Sequence, residues 1–521
     1  MSAATTFVPP PSWQNGRPPV VFNIESNWER IFASFTLDHQ VQEKYAEAIL
    51  ELKEEARSML TIAKGKTISE RIVLIDTLER LGVGYHFDQE IEDQLEDILT
   101  KFESGDEFGY DLFTTSLGFR ILRQHHHYVS CSVFDKFIGQ DKRFKETLTD
   151  DAKGLLSLYE AAHLRIDGEQ ILEEAVTFTV HHLKRMVQQL ESPLQDLVKR
   201  ALEHALHWGL PRMETRHYIS SYEKDDSRNK QLLKLAKLDF NYVQNIYKNE
   251  LHELTRWWNE LNPHLPYVRY RVVACYLWAL TFKFEPRYSY LLRWNIGETD
   301  HLPDYMKPIY KCVLKMYDEY EHEAVERGKP FAIPYAKQAM KDVCSAYNKG
   351  LKYTMGAPLP SFEDYIQMTI ITSCIYVACS ATFPGLKSVC DETIDWFKSE
   401  PKIIRHATEV CRYLDDVGSY DRERHEGALL TGLDFYMKYH GGTVQETIDK
   451  FIHLAEDAWI NFNTEWIMNI KSSGVPKDVA EEILGYARVA YTSYKNGRDG
   501  FAKFHVMAPE VEGLFLEPII I

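Results

Sequence analysis

No run of 18 apolar residues occurs in the 521-residue chain, so no transmembrane helix is expected. Cysteine is sparse: eight residues stand at 131, 275, 312, 344, 374, 379, 390 and 411. None forms a Cys-x-x-Cys pair and no spacing suggests a disulfide framework, which leaves buried thiols in a reducing compartment. Positive charge is also short, with 60 Lys and Arg against 77 Asp and Glu and a net charge of −17. That balance excludes nucleic acid and anionic membrane surfaces as expected partners. An anionic ligand would need a local basic patch or bound cations. Met1 to Asn23 holds prolines and one Arg but no apolar h-region. It reads as neither a secretory nor a plastid leader, and the expected location is the cytoplasm.

Alternating strand patterns and short repeats are missing as well, and what fills the chain is helical periodicity. Apolar residues recur at three- and four-residue spacing over Glu43–Ile62, Ser69–Leu81, Asp88–Phe102, Leu155–Glu160 and Glu169–Leu190. Gly and Pro punctuate the pattern at Gly82-Val83-Gly84, Gly209-Leu210-Pro211, Glu285-Pro286, Gly356 to Pro360 and Pro384-Gly385. The expected fold is all-α in two domains, 1–225 and 226–521, with the boundary in the polar stretch from Tyr222 to Lys230. Composition is that of a globular protein, 45% hydrophobic and 26% charged, but aromatics are plentiful at 13%.

The densest cluster of chemistry lies in Cys411-Arg412-Tyr413-Leu414-Asp415-Asp416-Val417-Gly418-Ser419-Tyr420-Asp421-Arg422-Glu423. Asp415, Ser419 and Glu423 fall at i, i+4 and i+8, so on a helix they form one row about 6 Å apart along the axis. Two carboxylates and a hydroxyl are hard oxygen ligands suited to Mg²⁺, which keeps other positions for water and phosphate oxygens. Arg412 lies one turn earlier, and a cation beside a guanidinium suits a diphosphate. The alternative is a solvated acidic face. Arg269 and Arg271 precede the apolar helix Val272–Leu280, where two guanidinia can clamp a diphosphate at a pocket mouth; a basic helix start is the alternative. Thr372-Ser373-Cys374 interrupts the apolar run Ile366–Phe383, either bending it towards a cavity or making a small-residue helix contact. Trp278, Tyr376, Phe383 and Tyr494 can converge as an aromatic wall for a cation, or serve as core. His125-His126-His127 cannot chelate one ion from a helix, since neighbours point about 100° apart, and is expected to pack.

Several blocks in order resemble plant class I terpene synthases of the sesquiterpene cyclase type. They are Leu74 to Phe87, Leu117 to His125, Leu155 to Arg165, Leu235 to Asn241, Arg256-Trp257-Trp258, Phe282 to Pro286 and Cys411 to Glu423. The resemblance covers nearly the whole chain. It implies a two-domain all-α fold with a C-terminal catalytic domain, and ionisation of farnesyl diphosphate or a related prenyl diphosphate by a monomeric enzyme. Mg²⁺ is the implied cofactor, with Mn²⁺ as the other hard cation. Asp415, Ser419 and Glu423 resemble the family's second metal motif. Arg269 and Arg271 resemble its arginine pair, and Arg412 a further diphosphate contact. Trp278, Thr372 and Tyr376 would line the pocket. Tyr494 and Asp499 sit where relatives place a Tyr and an Asp over it, while a second such Tyr is Phe501 here. Arg17, ahead of Trp28, matches what is left of an N-terminal arginine pair. No Asp-x-Asp-Asp occurs, so protonation-initiated chemistry is not expected.

One departure stands out. After Leu292 relatives continue through the aspartate-rich Asp-Asp-x-x-Asp helix, whereas here Leu292 runs into Arg293-Trp294-Asn295-Ile296, and no Asp-Asp-x-x-Asp occurs anywhere. Roughly thirty residues are missing by this comparison, about 45 Å of helix. Glu298, Asp300 and Asp304 align with an ordinary helix and are not taken as ligands. Loss of the facing carboxylates removes cation sites that neutralise the leaving group. Two alternatives therefore stand beside the cyclase: a catalytically impaired splice or gene-model variant that at most binds isoprenoid diphosphate, and a monoterpene synthase using geranyl diphosphate.

Overall fold

The computed structural model describes residues 27–104, 111–261, 270–280, 307–354, 358–425 and 430–521. Among these residues the chain is helical throughout, without a strand; one isolated bridge joins Ile138 and Phe144. This is the all-α fold that the periodicity implies. Two compact units result. One comprises Thr36–Lys248, Ile460–Ser472 and Pro509–Ile521, the other Met1–Phe35, Asn249–Trp459 and Ser473–Ala508.

In the first unit, His39–Ala63 starts where the Asp38 carboxylate caps the Gln40 and Val41 amides, and it buries Ile49, Leu52, Ala56 and Leu60. Ile68–Arg80 begins with a reciprocal Thr67–Glu70 capping box. Asp88–Ser104, Leu112–Gln124, Ala152–Ala162 and Gln170–Met186 follow. The last ends four residues before the expected Leu190, passing into a 3-10 turn, Val187–Gln189. The histidine triplet packs as expected. His125 lies between Glu79 and Glu92 at 2.5 and 2.8 Å, and His126 sets its ring 4.1 Å from that of Trp466.

The second unit carries the candidate site. Val272–Ala279 is buried along most of its length, with Arg271 at its N-cap position. The apolar run expected to be interrupted is two helices, Phe362–Thr372 and Ile375–Thr382, because Cys374 takes a left-handed φ of 64°. By composition alone Phe362–Thr382 could span a bilayer. Helices of 11 and 8 residues reach only about 16 and 12 Å against a hydrocarbon core of about 30 Å. Lys402–His425 packs along Lys477–Tyr494 and against Phe362–Thr372. These three elements, with Val272–Ala279, frame the site.

Candidate functional site

Lys402–His425 is one continuous helix, so Asp415, Ser419 and Glu423 do form a single row along it. Asp415 and Glu423 are half-buried and Ser419 is buried. The Ser419 Oγ is buried with no hydrogen-bond partner among the described groups, an unsatisfied acceptor and donor that a ligand would complete. Burial, followed by the charges of Asp415 and Asp416, pushes the Glu423 carboxyl up to about 7. The Glu423 carboxylate is therefore held at a cost set first by burial, a cost that a bound hard divalent cation would offset. Among the described residues no three His, Cys, Asp or Glu side chains converge as a metal cluster. What the helix offers is two carboxylates and a hydroxyl, which leaves most of a cation's coordination to water and ligand oxygens.

Arg412 sits where the spacing puts it. Its Nη1 donates to Asp415 Oδ2 at 2.8 Å and its Nη2 to Asp416 Oδ1 at 3.1 Å. Burial opposes its charge, but Asp416 and Asp415 hold it protonated, well above its usual value. The Tyr365 hydroxyl donates to Asp416 at 3.5 Å. Asp416 thus holds the Arg412 guanidinium together with Asp415.

The C-terminal segment lies directly against this helix. A Cβ on Gly418 would sit 2.4 Å from the Arg498 carbonyl oxygen, so only glycine allows this approach between Asp415 and Ser419. Arg422 Nε donates to Asp499 Oδ2 at 2.5 Å and its Nη2 to Glu423 Oε1 at 3.2 Å. The other Asp499 oxygen accepts the Ala502 amide at 3.1 Å, and the Ala502 carbonyl accepts Arg271 Nη2 at 2.9 Å. Arg271 and Asp499 are thereby brought to one place. Arg269 lies outside the described residues, as do Arg17, Glu298, Asp300, Asp304 and the Leu292–Arg293 junction.

Beside the row stands an aromatic group centred on Trp278. Its ring meets Tyr486, Tyr494 and Phe501 edge-to-face, with centroids 5.7, 6.3 and 6.0 Å away. Burial and Asp415 push the Tyr494 hydroxyl far above its usual range, so it stays a neutral phenol. At the helix break the carbonyls freed by Cys374 are taken up. Thr372 O accepts the Tyr347 hydroxyl at 3.1 Å and Ser373 O that of Tyr486, also at 3.1 Å. Tyr376 and Phe383 are not drawn into the Trp278 group. Tyr376 has Glu400 and Cys379 as its electrostatic neighbours, and Phe383 stacks on Tyr335 and Phe397. Sequence reasoning missed Tyr486 and Arg422. Tyr486 stands two helical turns before Tyr494 on one face of Lys477–Tyr494, a signal that was available; Arg422 had none beyond its place next to Glu423.

The chain matches the family model "Terpene synthase, N-terminal domain" over residues 27–202 and "Terpene synthase family, metal binding domain" over residues 290–461. It is 43% identical to a gamma-cadinene synthase of Ocimum basilicum over 543 residues, covering 97% of this chain and 98% of the relative. It is 44% identical to a gamma-curcumene synthase of Pogostemon cablin, covering 96% and 98%. Among solved structures it resembles an isoprene synthase from grey poplar leaves in complex with three Mg²⁺ ions and dimethylallyl-S-thiolodiphosphate. That likeness has a TM-score of 0.82 at 27% identity, over 91% of this chain and 97% of the other.

Proposed function

This chain belongs to the terpene synthase family, and from that membership we propose that it is a sesquiterpene synthase, ionising farnesyl diphosphate with Mg²⁺ and guiding the carbocation through cyclisation as diphosphate is released. The observation that carries the reading is the Asp415, Ser419, Glu423 row with its unsatisfied buried hydroxyl, flanked by Arg412 and by the aromatic group at Trp278. Relatives named for cadinene and curcumene support the fifteen-carbon substrate.

Asp415, Ser419 and Glu423 hold one divalent cation in this reading. When bound, the cation neutralises charge on the diphosphate as the allylic C–O bond breaks. Arg412, Arg269 and Arg271 bind the diphosphate oxygens through charge-assisted hydrogen bonds. Trp278, Tyr486, Tyr494 and Phe501 present π faces worth about 0.5–2 kcal/mol each to a desolvated cation, and they keep water from quenching it. Thr372 and Tyr376 border the same pocket around the helix break. Asp499 fixes the C-terminal segment over the row. Residues 226–521 form the catalytic domain. The protein works as a monomer in the cytoplasm, where its eight unpaired cysteines stay reduced.

The rate is limited by what is missing. No Asp-Asp-x-x-Asp occurs, and the alignment with the Ocimum relative spans 543 residues against the 521 of this chain, so relatives carry residues that this chain lacks. Removing a single oxyanion-stabilising group costs about 10²–10³ in rate, and losing a cation site costs no less. Purified protein given farnesyl diphosphate and Mg²⁺, assayed by gas chromatography, is expected to release sesquiterpene at least ~10²-fold more slowly than the Ocimum enzyme. An equal rate would show that other carboxylates replace the missing ones. Product from geranyl diphosphate alone would reassign the substrate.

A further inference from the structure

We propose that Asn496 is a site of covalent self-modification, closing on the Gly497 nitrogen to a succinimide that water opens to isoaspartate. The site stands on its own geometry and is independent of the cation reading above. Lys477–Tyr494 ends in the tight turn Lys495–Gly497, where Asn496 has φ 59° and ψ 27° and Gly497 has φ 70°. Both residues are exposed, and, chain neighbours apart, no described atom stands within 4 Å of where a Gly497 Cβ would be. The Asn496 side-chain amide makes no hydrogen bond among the described residues. An unhindered nitrogen thus follows an unrestrained amide, and ring closure needs both. In the closed turn, a ψ of 27° sets the side chain and the Gly497 nitrogen on opposite sides of the Cα–C bond, so closure waits for the turn to open. The backbone bond across it, from Arg498 N–H to Lys495 O, is 3.4 Å, long for its kind, and exposed turns with few such bonds open at low cost.

The chemistry balances with water as its only co-reactant. A bond forms from Gly497 N to Asn496 Cγ, the Cγ–Nδ2 bond breaks, and the Gly497 amide proton leaves with that nitrogen as ammonia. Water then opens one of the two imide bonds. One route gives aspartate. The other gives isoaspartate, in which the main chain runs through the side chain and gains a methylene. The chain beyond the turn has no slack for it. The Arg498 carbonyl oxygen lies 2.4 Å from where a Gly418 Cβ would be, and Asp499 accepts the Arg422 guanidinium and the Ala502 amide. The added methylene must therefore displace these contacts, whereas aspartate keeps the chain length. The same contacts shelter Asp499–Gly500, a pair with the same ring-closing chemistry. Both Asp499 oxygens are engaged, and the Gly500 amide donates to Ser493 O at 3.0 Å. Modification is thus directed to Asn496 and not to Asp499.

The test ages the purified full chain at mildly alkaline pH, maps its peptides by mass spectrometry, and counts isoaspartate by methyl transfer with an isoaspartate-directed carboxyl methyltransferase. Isoaspartate is expected at position 496 with Asp499 unchanged. It should accumulate about 10-fold more slowly than in a free peptide of residues 490–503, since the turn must open first. Asn496→Gly suits the positive φ and removes the amide, so it should fold as the parent does and gain no isoaspartate at that position. Amide hydrogen exchange of residues 498–503 should rise with the isoaspartate fraction in the aged parent, but not in equally aged Asn496→Gly. Freshly prepared Asn496→Asp, which matches the other product, should exchange as the fresh parent does. An Asn496 still intact after ~100 half-lives of the peptide, or conversion confined to Asn15–Gly16 outside the described residues, overturns the site. Isoaspartate at 496 with unchanged exchange overturns its effect on the neighbouring contacts.

Discussion

Gly418→Ala asks whether the C-terminal segment rests on the Lys402–His425 helix. In an open helix the change would help, since Ala exceeds Gly by about 1 kcal/mol in helix propensity. Here the new Cβ would lie 2.4 Å from the Arg498 carbonyl oxygen and 3.1 Å from its carbon. Both are backbone atoms and cannot swing aside, so the segment must retreat by roughly 1 Å, and overpacking of this kind costs about 1–3 kcal/mol. Gly350→Ala is the matched control. It is also helical, and among the described residues its Cβ would meet Met368 at 3.6 and 3.8 Å, ordinary contact. The two variants should therefore differ by about 1–3 kcal/mol, Gly350→Ala stabilising and Gly418→Ala neutral to destabilising. Thermal unfolding resolves this, at about 2–4 °C per kcal/mol for a unit of this size. Exchange of the 495–507 amides should rise in Gly418→Ala only. Equal stabilisation by both substitutions would refute the placement of the segment.

Two further outcomes follow from buried carboxylates. Burial pushes Glu160 from 4.5 up to about 7, despite the Leu206 amide it accepts at 2.8 Å. Its proton is held more tightly in the folded than the unfolded state, so stability falls as pH rises from 4.5 through 7, by on the order of 3 kcal/mol. Glu160→Gln keeps an acceptor for that amide, and should be more stable than the parent at pH 8 with the advantage vanishing near pH 5; a pH-independent difference in unfolding temperature would contradict this. Glu423→Gln removes one of two carboxylates from the row and should weaken Mn²⁺ binding at least ~10-fold, the loss typical of perturbing even a ligand's supporting shell. Unchanged affinity by calorimetry would remove Glu423 from the ligand set.

What the sequence disclosed and what it hid differ in range. Three- and four-residue periodicity is local, and it located His39–Ala63, Ile68–Arg80, Asp88–Ser104, Ala152–Ala162 and Gln170–Met186 within a few residues, but not Leu112–Gln124. The row at Asp415, Ser419 and Glu423 was equally local, as was the break at Cys374, where small hydroxylated residues interrupt an apolar run. The contacts that give these pieces meaning are not local. Asn241 exchanges hydrogen bonds with Ile519, and Gln244 donates to the Gly513, Leu514 and Glu517 carbonyls; no window along the chain encodes such pairs. For the same reason the Tyr486 hydroxyl on Ser373 and the Arg422–Asp499 pair emerged only in three dimensions.

The central claim is that this chain holds one half of a diphosphate-ionising site, with the facing carboxylates missing. The most direct measurement is sesquiterpene release after the missing segment of the Ocimum relative is inserted between Leu292 and Arg293. Mg²⁺-dependent turnover is expected to rise at least ~10²-fold over the unaltered chain, and to be lost again with Asp415→Ala or Glu423→Ala, while Glu298→Ala has little effect. A grafted protein that folds but stays inert, or one that works equally well without Asp415, would contradict the assignment of the Asp415, Ser419, Glu423 row.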